Sequence, residues 1–365
     1  MIRWRKGEVV GVGREWTGAV ELEVTVHGEA GESEGRVRAL AYPALVGRPE
    51  VGDTVLLNTT ALAMGLGTGG YAMVVAVPDR LPPDPAGPGH LVKARYTPLQ
   101  ATLAGADEQG SPYHEALREA DSVDGMPVVV ADLHSALPAV LCGLYGGAPA
   151  PDGRPRVAYV MTDGGALPAW FSMSCARLRE SGWLCGVVTT GQAFGGDVEA
   201  VTVHTGLLAA RHVLEADVAI VAQGPGNLGT GTRWGFSGVA AGEAVNAAAV
   251  LGGRPVASLR VSEGDRRERH VGVSHHSLTA YGRVALARAL VAVPELPGEF
   301  GARVAEQAAK LADRHDLVSV PVEGLREALA ASPVRLSTMG RSLDEDAAYF
   351  LAAAAAGRLA ASLLS

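Results

Sequence analysis

Asp217-Val-Ala-Ile-Val-Ala-Gln223 leads into Gly224-Pro-Gly-Asn-Leu-Gly-Thr-Gly-Thr-Arg-Trp-Gly-Phe-Ser-Gly238, and then into Val239-Ala-Ala-Gly-Glu-Ala-Val-Asn-Ala-Ala-Ala-Val-Leu251. The first piece is a short apolar run of strand length and the last is an alanine-rich run of helix length. Six of the fifteen residues between them are glycine. Glycine loses the most backbone freedom on folding, so such density implies backbone that must turn tightly or approach something closely. Strand, glycine loop and helix in that order are the unit of a parallel α/β sheet. In that unit, backbone amides and a helix N-terminus converge on one point, which suits an anion such as phosphate.

The same alternation extends on both sides. From residue 126 onward, apolar runs at 127–131, 156–161, 183–189, 217–223 and 255–261 are each followed by a helical pattern, ending near residues 144, 180, 215, 251 and 290. Strands alternating with helices of that length imply a parallel sheet covered on both faces, a three-layer Rossmann-like domain. Ala136-Leu-Pro-Ala139 and Ala166-Leu-Pro-Ala169 recur one βα unit apart, and proline in the first turn marks both as helix starts. Helices at 302–314 and near 323–331 flank a strand at 317–320. A last helix should start at Leu343 behind a Ser342–Glu345 capping box. Its alanine-rich stretch implies burial, on the sheet or in a subunit interface.

The first eighty residues read differently. Alternating runs at 8–12, 19–26, 36–41, 53–57 and 71–77, broken by glycine turns, predict a small β-barrel of the OB, SH3-like or barrel-sandwich kind. Residues 58–70 contain no lysine, which excludes a carrier-lysine role. The prolines between 78 and 88 fix φ and remove donors, so the chain divides into a barrel (1–78), an extended linker (79–98) and the α/β domain (99–365).

Composition sets the frame. The chain has 365 residues, 48% of them hydrophobic but only 5% aromatic, so Ala, Val and Leu must build the core. Glycine, proline or charge interrupts every apolar run before the roughly 18 residues a membrane span requires. A net charge of −8 without a basic block argues against nucleic acid as the partner. The N-terminal residues lack a signal-like apolar region, and three cysteines without a C-x-x-C pair suit thiols in a reducing compartment. These features lead to the expectation of a cytoplasmic protein that engages neither membrane nor nucleic acid.

In an open parallel sheet, ligands bind beyond the carboxyl ends of the strands. That rule selects His134 after the first strand, Asp163 after the second, the glycine loop after the fourth, and residues 263–277 after the fifth. In the loop, Gly224, Gly226, Asn227, Gly229, Thr230, Gly231 and Thr232 are the candidate ligand-binding residues. Gly224, Gly226 and Gly229 satisfy G-x-G-x-x-G, but nine residues separate the last of them from the helix. Thr230 stands where a Walker A loop has lysine, and Val239 replaces the closing glycine of a nucleophile elbow. In Asp265-Arg-Arg-Glu-Arg-His270 and Ser274-His-His-Ser277, three of the ten histidines lie within seven residues. Neutral imidazole moves protons near pH 7, and arginine forks fit phosphate. His134, Asp163, Asp265, His275 and His276 are therefore candidate catalytic groups, with Arg266 and His270 as ligand contacts. Neither H-E-x-x-H nor paired C-x-x-C is present, so no metal ligands are assigned and the cofactor is unknown.

Leu133-His-Ser-Ala-Leu-Pro138, Met161-Thr-Asp163, Gln192-Ala-Phe-Gly-Gly-Asp197, the glycine loop, residues 266–277 and Thr338-Met-Gly-Arg341 resemble an uncharacterised bacterial family of unknown function met in actinobacterial and clostridial sequences. The resemblance spans essentially the whole chain and implies no activity, substrate or cofactor. The residues themselves favour an intracellular enzyme for a small anionic, phosphorylated or nucleotide-like ligand. The alternatives are a metal-dependent hydrolase and a non-catalytic metabolite sensor or assembly protein, and a homo-oligomer is compatible with each.

Overall fold

The computed structural model describes residues 1–27, 35–85, 87–146 and 153–364, so residue 86 of the proline-rich stretch lies outside it. Contacts divide the chain into two compact units, Met1–Gly87 and Pro88–Ser365.

The first unit is a closed five-stranded barrel, as its alternating pattern implies. Its strands are β1 (Trp4–Trp16), β2 (Ala19–Val26), β3 (Gly35–Ala41), β4 (Thr54–Asn58) and β5 (Tyr71–Ala76), in the order β1-β2-β3-β5-β4. The single-turn helices α1 (Pro43–Val46) and α2 (Thr60–Ala63) join them. Every second side chain points inward, so Val20, Leu22 and Val24 of β2 meet Val55, Leu57, Ala72 and Val74 in one core.

The second unit carries an eight-stranded sheet in which every pairing is parallel. A hairpin of β6 (Leu91–Lys93) and β7 (Ala101–Leu103) and the short helix α3 (His114–Leu117) precede it. The sheet strands are β8 (Pro127–Val130), β9 (Val157–Thr162), β10 (Gly186–Thr190), β11 (Val198–Ala200), β12 (Val218–Gln223), β13 (Arg254–Ser258), β16 (Leu290–Pro294) and β17 (Asp316–Val320). Between β13 and β16 lies the two-residue pair β14 (Val261–Ser262) and β15 (Gly272–Val273). The spatial order is β11-β10-β9-β12-β8-β13-β16-β17.

Period-two alternation in buried strands sends neighbouring valines to opposite layers. Val129, Tyr159 and Ile220 pack under α4 (Leu137–Tyr145), α5 (Met173–Glu180), α10 (Leu325–Ala330) and α11 (Ala347–Ser362). Val128, Val130, Ala219 and Val221 face α6 (Val203–His212), α7 (Ala240–Val250) and α9 (Gly298–Ala309). No helix among the described residues is long and apolar enough to cross a membrane.

The alanine stretch of α11 is buried within its own chain, where α11 packs on α4 and lies over β8, β13 and β16. Gly143 and Gly357 set the closeness of the α4–α11 contact. A Cβ on Gly143 would lie 1.8 Å from the Ala354 carbonyl oxygen, and one on Gly357 would lie 1.9 Å from that of Val140.

Three local expectations are corrected. Asp197, an acid ahead of the third helical pattern and so expected from the sequence to be its N-cap, does not cap a helix, because its carboxylate accepts from the Val187 amide (2.8 Å) and Arg179 Nε (2.9 Å) while β11 follows it. Thr202 caps α6 instead, accepting from the Thr205 amide. The helix expected over 278–290 is shorter: α8 (His275–Thr279) passes into a π turn at Ala280–Val284. It stops there because Asn246 Oδ1 takes the Leu286 and Ala287 amides at 2.7 and 3.0 Å. Finally, Ser342 and Glu345 do bond, through both the amide and hydroxyl of Ser342 at 2.8 Å, yet Ser342 belongs to β19 (Arg341–Ser342) opposite β18 (Ser337–Thr338). The helix begins at Ala347, one residue after Asp346.

Candidate functional site

The centre of the sheet places the ends of β12, β8 and β13 side by side, and polar side chains gather beyond them. After β13 the chain leaves through β14 and returns through β15, so residues 263–271 form a loop closed at its base. Ser274 then opens α8, its hydroxyl accepting from the His276 amide at 3.2 Å. The closed loop and the first turn of the helix bring His270, His275 and His276 together, with ring centroids 4.4 to 4.9 Å apart. One nitrogen from each ring lies within 4.8 Å of the other two.

Each ring is fixed differently. His270 is buried and its Nδ1 bonds Ser274 Oγ at 2.7 Å. Arg269 Nε, which can only donate, reaches His270 Nε2 at 3.4 Å, which puts the ring proton on Nδ1. His276 stacks on Phe236 of the glycine loop at 3.7 Å with the planes 3° apart. Its Nδ1 faces Arg260 Nη1 at 3.3 Å and Asp132 Oδ2 at 3.7 Å. His275 Nε2 is buried without a hydrogen-bond partner. Burial, reinforced by the positive charge of Arg260 and Arg267, pushes His270 down to about 3. Burial and the neighbouring His276 and Arg269 push His275 down to about 4. Both imidazoles are therefore neutral at pH 7.

Around the histidines lies a mesh of ion pairs. Arg260, only 4% exposed, sits 3.9 Å from Asp132 and 3.8 Å from Asp265. Arg267 grips Asp265 through Nε and Nη2 at 2.9 and 2.8 Å, and that contact holds the carboxyl far below the usual carboxylate range. Asp265 is thus a permanent anion that braces the loop. Asp346 accepts from Ser262 Oγ (2.6 Å), Arg341 Nε (2.9 Å) and the Glu263 amide (3.1 Å). Asp132 Oδ2 is buried and has no hydrogen-bond partner.

The glycine loop is a projecting hairpin. Thr230 N donates to the Gly235 carbonyl (2.7 Å), Ser237 N to Leu228 O (2.9 Å) and Gly235 N to Thr232 Oγ1 (3.1 Å). Asn227 Oδ1 accepts from Gln223 Nε2 and Ser237 Oγ at the base of the loop. Gly224 is hemmed in by the Ala166 carbonyl, whereas Gly226, Gly229, Thr230, Gly231 and Thr232 are exposed. At the tip, Gly231, Arg233 and Trp234 form one wall of a groove of about 850 Å³. Arg269, His275, the π turn and the end of α9 with Lys310 and Arg314 form the rest.

His134 and Asp163 make other contacts. Tyr159 Oη donates to the Gln223 carbonyl (2.9 Å), so His134 Nδ1 donates to Tyr159 Oη (2.9 Å) and its Nε2 accepts from Ser172 Oγ (2.7 Å). Burial lowers His134 to about 4. The ring opens on a cleft of about 240 Å³ that also includes Gly226 and Asn227. Asp163 is exposed and caps the Gln192 amide at 2.9 Å. Arg266 lines a separate groove of about 690 Å³ with Asp265, Met339 and Arg341.

The sequence singles out Asp132 as a polar residue at the end of the first strand and Arg341 as an anion contact or salt-bridge partner, but not Arg260, Asp346 or the groove cations at 233, 283, 310 and 314. A lone arginine inside the apolar run Ser258-Leu-Arg-Val-Ser262 was the one local signal among them.

No curated protein and no solved structure matches the chain. One family model does, over residues 38–357, and so covers the later part of the barrel, from within β3 onward, and nearly all of the α/β unit. The chain accordingly belongs to the family described as protein of unknown function (DUF3866).

Proposed function

We propose that this protein is an enzyme that binds a small phosphorylated, nucleotide-like ligand in the groove at the tip of the glycine loop and acts on it at the histidine cluster. The observation that carries this reading is the charge of the groove. Arg233, Arg269, Arg283, Lys310 and Arg314 line it, and no carboxylate does. None of the five has a salt-bridge partner among the described residues. Their uncompensated field favours a multiply charged anion, and arginine forks match phosphate oxygens two at a time. Trp234 is 55% exposed in the same wall, a cost that a planar ring stacked on it would offset. His275 belongs both to the groove and to the cluster of three imidazoles, which makes that end of the groove the reactive one. The loop contributes through its tip, Gly231 and Trp234, in place of a phosphate cradle at a helix start.

The first test is a titration of the protein with pyrophosphate and with ADP, following tryptophan emission against a Trp234→Phe control. Saturable binding that weakens as salt rises, and that Arg233→Ala and Arg269→Ala each reduce, is expected. Equal binding by wild type and both arginine variants, or none by wild type, would refute the reading.

A further inference from the structure

We infer that His270, His275 and His276 form a binding site for one divalent transition-metal ion of the zinc class, open on its fourth side toward the basic groove. The inference draws on the proposed anion groove only for that fourth position.

Three imidazoles on one side of an ion, with an open position for water or substrate, is a ligand set suited to zinc. Tetrahedral zinc holds its nitrogens about 3.4 Å apart, given bonds of about 2.0–2.1 Å. The ligating nitrogens here lie within 4.8 Å of one another, so ring rotations that draw them in by a little over 1 Å would complete the set. Two of the three come from consecutive residues at the start of α8. The third comes from a loop closed by β14 and β15, so the backbone supporting them is anchored.

The atoms that surround the rings favour this use. His270 has Nδ1 held by Ser274 and presents the lone pair of Nε2, where its present partner is the long contact from exposed Arg269. His275 Nε2 is buried and unpartnered, a cost that a bound ion would remove. His276 has a waiting second partner: Asp132 Oδ2 lies 3.7 Å from its Nδ1, buried and without a hydrogen bond. A ring that coordinates through Nε2 carries its proton on Nδ1, where that carboxylate accepts it. Carboxylate–histidine–metal relays of this kind orient the ring and raise its basicity. One bound ion and one shift of tautomer, in which Arg260 Nη1 turns from His276 Nδ1 to the Asp132 carboxylate 3.9 Å away, thus satisfy two orphaned atoms. The charges of Arg260, Arg267 and Arg341 are met by Asp132, Asp265 and Asp346, and Arg269, the uncompensated cation at His270 Nε2, is exposed and has to swing away from that nitrogen as the ion binds. His275 alone of the three also lines the groove, which places the fourth coordination position where a phosphate oxygen or water arrives.

The test is to strip the full-length protein with EDTA, dialyse it, and titrate it with cobalt(II) while recording visible absorption. Zinc affinity is then read by competition against a chromophoric chelator. One equivalent of cobalt with the intense bands of a four-coordinate site is expected. His270→Ala and His275→Ala should each weaken zinc at least about tenfold, and His204→Ala, on the exposed face of α6, should leave it unchanged. Thermal melts of the stripped variants separate loss of the ligand from loss of the fold, and His275→Gln provides a bulk-conserving second variant. Failure of the wild type to bind a stoichiometric ion, or equal binding by the folded histidine variants, overturns the inference. Pyrophosphate titration of the stripped protein keeps the two proposals apart. Pyrophosphate bound by a wild type that takes up no cobalt supports the groove alone, and cobalt bound by a wild type that takes up no pyrophosphate supports the metal site alone.

Discussion

Replacing Gly143 by alanine sets two well-known effects against each other. In an isolated helix the change stabilises by about 1 kcal/mol, because alanine has less backbone entropy to lose. Here the new methyl would lie 1.8 Å from the Ala354 carbonyl oxygen, with the carbonyl carbon at 2.5 Å and Cα at 2.7 Å. All three obstacles are backbone atoms of a buried helix, so no side-chain rotation relieves them. An ordinary carbon–oxygen contact of about 3.3 Å requires α4 and α11 to part by about 1.5 Å, opening gaps beside Leu141 and Phe350 in the same core. Overpacking of this kind costs about 1–3 kcal/mol, and rigid walls on both sides put it at the upper end, about 3. The net effect is a loss of about 2 kcal/mol, with the propensity gain overridden. Urea unfolding followed by far-ultraviolet circular dichroism and by tryptophan emission measures it. Gly357→Ala, whose methyl would meet Val140 O at 1.9 Å, should cost a similar amount. One separation of the helices relieves both clashes, so the double variant should cost less than the sum of the singles. A Gly143→Ala protein as stable as wild type, or more so, would refute the close-approach argument.

Asp346→Ala removes a buried acceptor from Arg341, Ser262 and the Glu263 amide and should cost about 3–5 kcal/mol, whereas Asp346→Asn keeps part of the network and should cost less. A loss below about 1 kcal/mol for alanine in the same urea assay would contradict this role. His134 is lowered by burial to about 4 from an ordinary value near 6.5, so its neutral ring contributes stability fully present above about pH 6.5 and lost as pH falls toward 4. Between pH 7 and 5 the wild type should lose about 2 kcal/mol more than His134→Gln, and parallel stability curves for the two proteins would disprove it. In the basic groove, affinity for pyrophosphate should fall as sodium chloride rises, and Arg233→Ala should flatten that slope. An unchanged slope would place the anion elsewhere.

How much of this was legible in the sequence depended on the range over which each feature is encoded. Strands β8, β12 and β13 are short apolar runs with a helix after each, so their existence and the parallel sheet follow from local pattern. Strand β11 was hidden because it is three residues long and follows an aspartate that also reads as a cap. Its carboxylate is claimed by Val187 and Arg179, partners the chain brings back from a neighbouring strand and helix. The histidine cluster was visible since residues 270, 275 and 276 are close in the chain, and one loop and one helical turn suffice to join them. The basic groove was not. Arg233, Arg283 and Arg314 come from a hairpin tip, a π turn and the end of a helix, and each alone is an ordinary surface charge. Arg260 escaped for a related reason: what distinguishes it is burial between Asp132 and Asp265, which depends on the packing of chain-distant segments.

The order of strands also governs when the molecule can come into being on the ribosome. Strands β8 and β9 follow one another in the chain, yet they never pair. Strand β12 lies between them, with Val221 aligned to Val130 on one side and Val160 on the other. Helix α11, made after every strand of the sheet, closes the layer over α4 and three strands. Long-range pairings of this sort delay the reward for ordering the chain. A nascent polypeptide that has emerged only as far as β11 holds a sheet missing its middle, and one that lacks α11 exposes the apolar faces of α4 and the central strands. The barrel, complete within the first eighty-seven residues, is under no such restraint. The N-terminal unit can therefore fold while the remainder waits for α11, and a stop between β8 and α11 should yield a folded barrel tethered to an aggregation-prone chain.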